Sequence, residues 1–368
     1  MRLNSALEGL VAYKSAPPLD EIAAHYGLDR LVKLASNECA HGPFPEVVDA
    51  MSRELMGLNR YPDGGCDRLR AELSGRLAVP PEQLVFGNGS CELLMLLGQA
   101  LLSRGEGMVY ATPSFVMYHT IGVLRQARIS AVPLQDHTHD LEAMAAAINA
   151  DTRMVIVCNP NNPTGTLVPG DAIRAFLRAV PADVVVVLDE AYVEFVTSPT
   201  YQDPVPWLRE HENLMVLRTF SKIYGLAGLR VGYGIANRAL IEALDKVRQP
   251  FNVTTLAQVA ATESLRHADR LRTRRDETAR ERLRVEAALR RLGIGFIPSH
   301  ANFLLLDVEG LPVPAKEVPQ ALLERGVMTR SGYAMGCPGR LRVTIGTEGE
   351  NDLFLEQLAA IAAKGATR

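Results

Sequence analysis

Lys222 stands in the run Ser221-Lys222-Ile223-Tyr224-Gly225-Leu226-Ala227-Gly228-Leu229-Arg230-Val231-Gly232, just ahead of a glycine-punctuated turn and eight residues before an arginine. A lysine amine becomes a nucleophile when desolvation and a nearby positive charge lower its pKa. Glycines let backbone close in on a bulky anion, and Arg230 can hold a phosphate with a two-pronged contact. Together these suit a lysine that forms a Schiff base with a phosphorylated aldehyde, for which pyridoxal phosphate is the candidate. Read alone, the stretch fits a structural Gly-rich loop with a surface lysine equally well. Its company upstream decides between the two.

Pyridoxal chemistry makes four demands. The ring nitrogen must stay protonated, which a buried carboxylate achieves through a charge-assisted hydrogen bond. Asp189, at the end of the apolar run Asp183-Val-Val-Val-Val-Leu188, suits that role better than the competing one of capping a helix. The phenolate oxygen needs donors, and Asn162 and Tyr192 offer an amide and a hydroxyl, although Asn159-Pro-Asn-Asn-Pro-Thr-Gly165 also reads as a plain tight turn. The phosphate needs backbone N–H groups at a helix start, which Gly89-Ser90-Cys91 supplies, with Thr219, Ser221 and Arg230 closing the cup. Finally, the ring needs a flat neighbour, and Phe115 is the candidate, although a lone aromatic is more often core.

Elements must carry these groups to one place. Leu84-Val-Phe86, Gly107-Met-Val-Tyr110, Ile129 to Val132, Met154 to Cys158, Asp183 to Leu188 and Leu214-Met-Val-Leu217 are short apolar runs separated by helical stretches. That pattern predicts an α/β fold: a mostly parallel sheet flanked by helices. Ser90, Asn162, Asp189 and Lys222 each follow such a run, and open α/β sheets gather ligands at the carboxyl ends of strands. Beyond about residue 255 the pattern changes to a charged helix, apolar runs at Ile294 to Pro298, Asn302 to Leu306 and Arg340 to Ile345, and a final helix from Asn351 to Ala363. We expect a large domain over 40–255 and a smaller α+β domain made of 1–39 and 256–368.

At 368 residues and a net charge of −3, nothing global points to nucleic acid. Ten arginines and six acidic residues between Glu263 and Arg291 predict a long solvated helix with intrahelical pairs. Cys39, Cys66, Cys91, Cys158 and Cys337 are scattered, without metal-type spacing, and fit a reducing compartment. His137 and His139 sit in a polar turn that reads as solvated loop, so no metal is expected. No apolar run approaches a membrane span and the N-terminus has no signal pattern, so a cytoplasmic location is expected.

Asn162-Pro-Thr-Gly, Asp189-x-x-Tyr192 and Ser221-Lys222 with Arg230 resemble the fold-type I, class I/II pyridoxal-phosphate aminotransferases. Leu34-Ala-Ser-Asn-Glu38, Gly42-Pro43, Arg60-Tyr-Pro-Asp63, Gly87-Asn-Gly-Ser90, Asp189-Glu-Ala-Tyr192 and Leu341-Arg-Val-Thr-Ile-Gly-Thr347 are similar to one branch, the histidinol-phosphate aminotransferases and their aromatic aminotransferase relatives. The resemblance implies a homodimer with shared active sites and exchange between a small amino donor and a 2-oxo acid. It makes Lys222 the Schiff-base lysine and proton shuttle. Tyr61 would reach the neighbouring subunit's phosphate, Tyr13 would lie near the substrate entrance, and Asn37 would join the substrate side. Arg342 would hold the carboxylate of glutamate or 2-oxoglutarate, and Arg330 an anionic substrate tail. Arg342 lies within an apolar strand, where unpaired burial is costly, so an anionic ligand or ion pair is favoured.

Two departures stand out: Cys91 replaces an acid or amide, and Cys39-Ala40-His41 replaces the usual Asn-Pro-Tyr, on what reads as the substrate side. The leading substrate is histidinol phosphate, exchanged with 2-oxoglutarate by ping-pong kinetics. Phenylalanine or tyrosine is the alternative, and decarboxylation of a phosphorylated amino acid is a further one. A dinucleotide-binding oxidoreductase is disfavoured, because no G-x-G-x-x-G follows the first strand.

Overall fold

The computed structural model of the chain describes residues 1, 5–12 and 17–363. The apolar runs become strands of one large sheet, whose central members are buried on both faces and whose edge strand, Arg128–Pro133, is largely exposed. They are β1 (Leu84–Gly87), β2 (Gly107–Thr112), β3 (Arg128–Pro133), β4 (Thr152–Cys158), β5 (Val185–Asp189), β6 (Leu214–Thr219) and β7 (Gly232–Ala236). The sheet order is β1-β7-β6-β5-β4-β2-β3. Only β7 runs antiparallel to its neighbours, β1 and β6; the other pairings are parallel. Along β4, Val155 and Val157 enter the core on one face, while Met154, Ile156 and Cys158 enter the core on the other. Double burial is what a continuous Val/Ile run requires, since neither face can meet water.

A second, antiparallel sheet contains β8 (Phe296–Ile297), β9 (Phe303–Asp307), β10 (Arg330–Ser331) and β11 (Arg340–Thr344), in the order β10-β11-β9-β8. Its own core holds Leu304, Leu306, Leu341, Val343 and Phe354. Each fully buried leucine contributes about 1.5–3 kcal/mol. The N-terminal segment joins this region: Val32–Lys33 pairs in parallel with Val327–Met328, and the Asn37 N–H donates to Thr344 Oγ1 at 2.9 Å.

The arginine-rich segment departs from expectation. Helix α1 (Thr255–Leu265) ends before α2 (Ala268–Arg291) begins. Although the sequence reading placed α1 past the boundary at 255, its Ala257, Ala260, Ala261 and Leu265 lie in the core on the large sheet. Exposed pairs such as Arg266–Glu263 and Arg284–Glu281 form as the spacing predicts. Yet Arg274 and Arg282 are buried, because α2 runs from one core to another. Leu271 sits in the large-sheet core and Val285 and Leu289 in the small-sheet core, so the inward arginines meet backbone carbonyls instead of water. His139 is likewise buried, not solvated, and accepts from the Cys158 N–H at 3.3 Å. Burial pushes its pKa down to about 4.

Candidate active site

The carboxyl ends of β4, β5 and β6 and the start of helix Ser90–Leu101 enclose one cavity. Its walls are Ser90, Cys91, Phe115, Cys158, Asn162, Asp189, Ala191, Tyr192, Thr219, Ser221, Lys222 and Arg230. Lys222 lies three residues past β6, half-buried, with Nζ donating to the Ser36 carbonyl at 3.2 Å and 5.4 Å from the Tyr192 ring centre. Its pKa is pushed down to about 8, chiefly by desolvation and then by the Arg342 and Arg230 charges, against opposition from Glu38 and Cys91. A lysine in that state is partly unprotonated near neutrality and can attack an aldehyde.

Asp189 closes β5 and is 2% exposed. The Tyr118 hydroxyl donates to Oδ2 at 2.7 Å and the Ala191 N–H to Oδ1 at 3.3 Å. Burial raises its pKa, and Tyr118, the Ala191 N–H and Lys222 oppose that rise. Two donors leave acceptor capacity on an ionised carboxylate, so it can take a cationic N–H from the cavity.

On another wall, Gly89 (φ 73°) precedes the helix and lies against Arg230. A Cβ on Gly89 would come 2.5 Å from Arg230 Nη2, and one on Gly232 would come 2.6 Å from the Ser90 nitrogen. The backbone crowding at Gly232 and the left-handed φ at Gly89 need glycine. They hold guanidinium and helix N-terminus side by side, which is a cradle for an anion. Arg230, itself at φ 56°, donates to Ser221 Oγ at 3.2 Å, and Thr219 Oγ1 accepts the Ser221 N–H at 3.1 Å. The donors fit a phosphate, Asp189 fits a protonated ring nitrogen, and Lys222 fits an aldehyde; the residues present therefore suit pyridoxal phosphate.

A second cavity shares Phe115, Asn162, Tyr192 and Lys222 with the first and continues to Arg330, Arg342, Val116, Ala334 and Met335. Arg342 is buried within β11 and donates to Asn162 Oδ1 at 2.6 Å and the Ala35 carbonyl at 2.8 Å. The sequence reading favoured an ion pair or an anionic ligand; neutral oxygens take these two donors, and Nε has no partner among the described residues. Desolvation, with Arg330 adding to it and Tyr192 opposing, pushes its pKa down to about 10. Arg330 is its register partner on the neighbouring strand. Asn37, at φ 54°, donates from Nδ2 to the Tyr192 hydroxyl at 3.0 Å. Tyr192 stays neutral, burial having raised its pKa to about 12.

Some expected residues lie elsewhere. Tyr61 is 81% exposed and stacks on Phe251 at 4.7 Å, outside this chain's cavity. Tyr13 falls outside the described residues. Cys39, Ala40 and His41 do not line the cavity with Arg342; they face a separate groove with Gly225 and Glu350. The Cys39 thiol points to the Ile223 carbonyl at 3.5 Å and His41 pairs with Glu277 at 3.2 Å, so the segment packs behind the lysine loop. Sequence reading also missed Tyr118, Cys158 and the ion pair of Glu190 with Arg218 at 2.8 Å beneath the site. An arginine inside the apolar strand β6 beside a second acid after Asp189 was the available signal for that pair.

A family model described as Aminotransferase class I and II matches residues 29–358. The chain is 46% identical over 349 residues to a histidinol-phosphate aminotransferase of Brevibacillus brevis, covering 95% of each. To that of Geobacillus thermodenitrificans it is 44% identical over 359 residues, covering 98% of each. Among solved structures, histidinol-phosphate aminotransferase from Sinorhizobium meliloti in complex with pyridoxal-5'-phosphate superposes with a TM-score of 0.88 at 25% identity, over 99% of this chain and 98% of that one.

Proposed function

The chain belongs to the class I and II aminotransferases, and we propose that it moves an amino group between histidinol phosphate and 2-oxoglutarate using pyridoxal phosphate. The observation that carries the chemistry is the convergence of a depressed-pKa lysine, a buried carboxylate and an anion cradle on one cavity. The substrate reading is supported by relatives of that name at 42–46% identity along nearly the whole chain.

When bound, pyridoxal phosphate supplies a cationic ring that withdraws electrons from the substrate's α-carbon. In this reading Asp189 holds the ring-nitrogen proton, and Tyr118 keeps the carboxylate turned toward it. Tyr192 and Asn162 donate to the phenolate side, Phe115 bounds a ring face, and the Ser90–Cys91 helix start, Thr219, Ser221 and Arg230 hold the phosphate. Cys91 acts through its backbone position, so its side chain leaves that contact intact. Lys222 Nζ removes the α-proton of the donor, because an amine with a pKa near 8 balances base strength against availability. Arg342 takes the substrate carboxylate and Arg330 a second anionic end; Arg342 Nε is a buried donor that lacks a partner among the described residues. Asn37 fixes Tyr192 and frames the entrance.

We also assign a homodimer. Exposed Leu55, Met56, Leu58, Tyr61 and Phe251 support a contact surface from which Tyr61 reaches the partner's site. The five free cysteines support a reducing, cytoplasmic setting, and among the described residues no helix is long and apolar enough to cross a membrane.

Purified protein should show a visible absorbance band that Lys222→Ala removes, and covalent cofactor uptake should rise with pH until the amine is free, near pH 8. Turnover of histidinol phosphate against 2-oxoglutarate should be ping-pong and should exceed that of phenylalanine. Faster turnover of phenylalanine would refute the substrate assignment, and a colourless protein that takes up no cofactor would refute the chemistry.

A further inference from the structure

Arg274 is buried on α2 and, among the described residues, has no carboxylate hydrogen-bonded to it, Glu277 acting on it only through its charge. Its Nη1 donates to the Ile223 carbonyl at 2.9 Å, its Nη2 to the Gly42 carbonyl at 2.5 Å, and its Cζ lies 4.0 Å from the centre of the Phe44 ring. Burying a guanidinium against neutral carbonyls costs stability, so this placement calls for a reason beyond packing. Ile223 is the residue after Lys222. The Cys39 thiol shares its carbonyl, and a Cβ on Gly225 would come 2.7 Å from the His41 carbonyl and 2.9 Å from that of Gly42. His41 pairs with Glu277 less than one turn beyond Arg274. Thus Cys39-Ala40-His41 and the arginine-rich helix, neither of which lines the reaction cavities, meet in one seam behind the lysine.

We propose that Arg274 is a positioning residue for Lys222: by clamping the Ile223 and Gly42 carbonyls it fixes the peptide after the lysine and so the direction of its amine. The inference rests on Lys222 being the amine that attaches the cofactor. Freed of the clamp, the loop retains its contacts at Gly225 but loses the two charge-assisted bonds that set its depth. A misplacement near 1 Å lowers the rate of an aligned reaction by up to about a hundredfold.

The test uses full-length apoprotein and pyridoxal phosphate. Covalent uptake is followed by the visible band, fixed with borohydride, and mapped to Lys222 by mass spectrometry; thermal melting reports the fold. Arg274→Met keeps an unbranched apolar side chain at the position while removing the guanidinium, and should slow uptake at least about tenfold. Arg274→Lys can serve one carbonyl and should recover part of that loss. Arg282→Met is the control, since Arg282 is equally buried on the same helix but donates to the Ala301 carbonyl at 2.8 Å, away from the lysine loop. It should react at close to the wild-type rate. Uptake by Arg274→Met within twofold of wild type, or equal slowing by Arg282→Met, overturns the proposal. Wild-type protein that fails to label at Lys222 would overturn the underlying chemistry instead.

Discussion

Replacing Tyr118 with phenylalanine tests how the cavity holds a buried carboxylate. The ring contacts, 5.7 Å to Phe115 and 6.1 Å to Tyr110, survive the substitution. Only the hydroxyl 2.7 Å from Asp189 Oδ2 is removed. A hydrogen bond to a charged group is worth about 1.5–3 kcal/mol. Burial already sets the folded pKa of Asp189 above its ordinary value of 3.8, so the folded state holds the proton more tightly than the unfolded chain. Stability from this group therefore falls as pH rises from the unfolded value through the folded one, and the full deficit persists above both. Losing the hydroxyl raises the folded pKa further and enlarges that deficit. Apoprotein Tyr118→Phe should thus be about 1.5–3 kcal/mol less stable than wild type where Asp189 is ionised in both proteins, with the gap narrowing as the pH falls to where the variant's Asp189 takes up its proton. Urea midpoints at several pH values, with matched slopes, measure it. A gap of constant size across that range would mean that Tyr118 acts by packing alone.

Gly232→Ala places a Cβ 2.6 Å from the Ser90 nitrogen and 2.9 Å from the Gly89 carbonyl carbon, where only backbone can yield. Pyridoxal-phosphate affinity should fall by at least about tenfold, or ~1.4 kcal/mol, in equilibrium dialysis of a protein whose far-UV circular dichroism is unchanged; retained affinity would rule out the cradle. Arg342→Lys cannot serve Asn162 Oδ1, the Ala35 carbonyl and a carboxylate together, so KM for 2-oxoglutarate should rise about tenfold or more. An unchanged KM would move the carboxylate site elsewhere. Glu190→Gln removes the buried ion-pair partner of Arg218, leaving the half-exposed Asp203 as its ion pair among the described residues, with Glu194 nearby. Removing one member of a buried pair costs about 3–5 kcal/mol, readable as a lower urea midpoint, and a shift under about 1 kcal/mol would show that Asp203 and Tyr201 suffice.

What the sequence exposes and what it hides differ by the range of the interaction. Asp189, Asn162, Ser90 and Lys222 were legible because each follows an apolar run, and strand ends in a parallel sheet converge by topology alone. The β4 and β5 runs reveal their double burial for the same reason, since unbroken Val and Ile leave no solvent face. Tyr118 was hidden, because a tyrosine near a helix start carries no mark of the carboxylate seventy-one positions away that it serves. Arg274 and Arg282 were hidden more deeply. Their neighbours on α2, Arg284 with Glu281 and Arg290 with Glu286, do form the pairs that i,i+3 and i,i+4 spacing suggests, and period alone cannot tell which arginines point inward. That is settled by two separate apolar cores seizing opposite ends of one helix, Leu271 in one and Val285 and Leu289 in the other. Once the helix is pinned at both ends, Arg274 and Arg282 must face protein and find carbonyls. The displaced Cys39-Ala40-His41 segment follows from the same geometry: it reads as a substrate wall in one dimension, yet lies against the far side of the lysine loop. The strand-end residues that line the cavity were visible from type and spacing, whereas those packed behind them emerge only when distant segments come together.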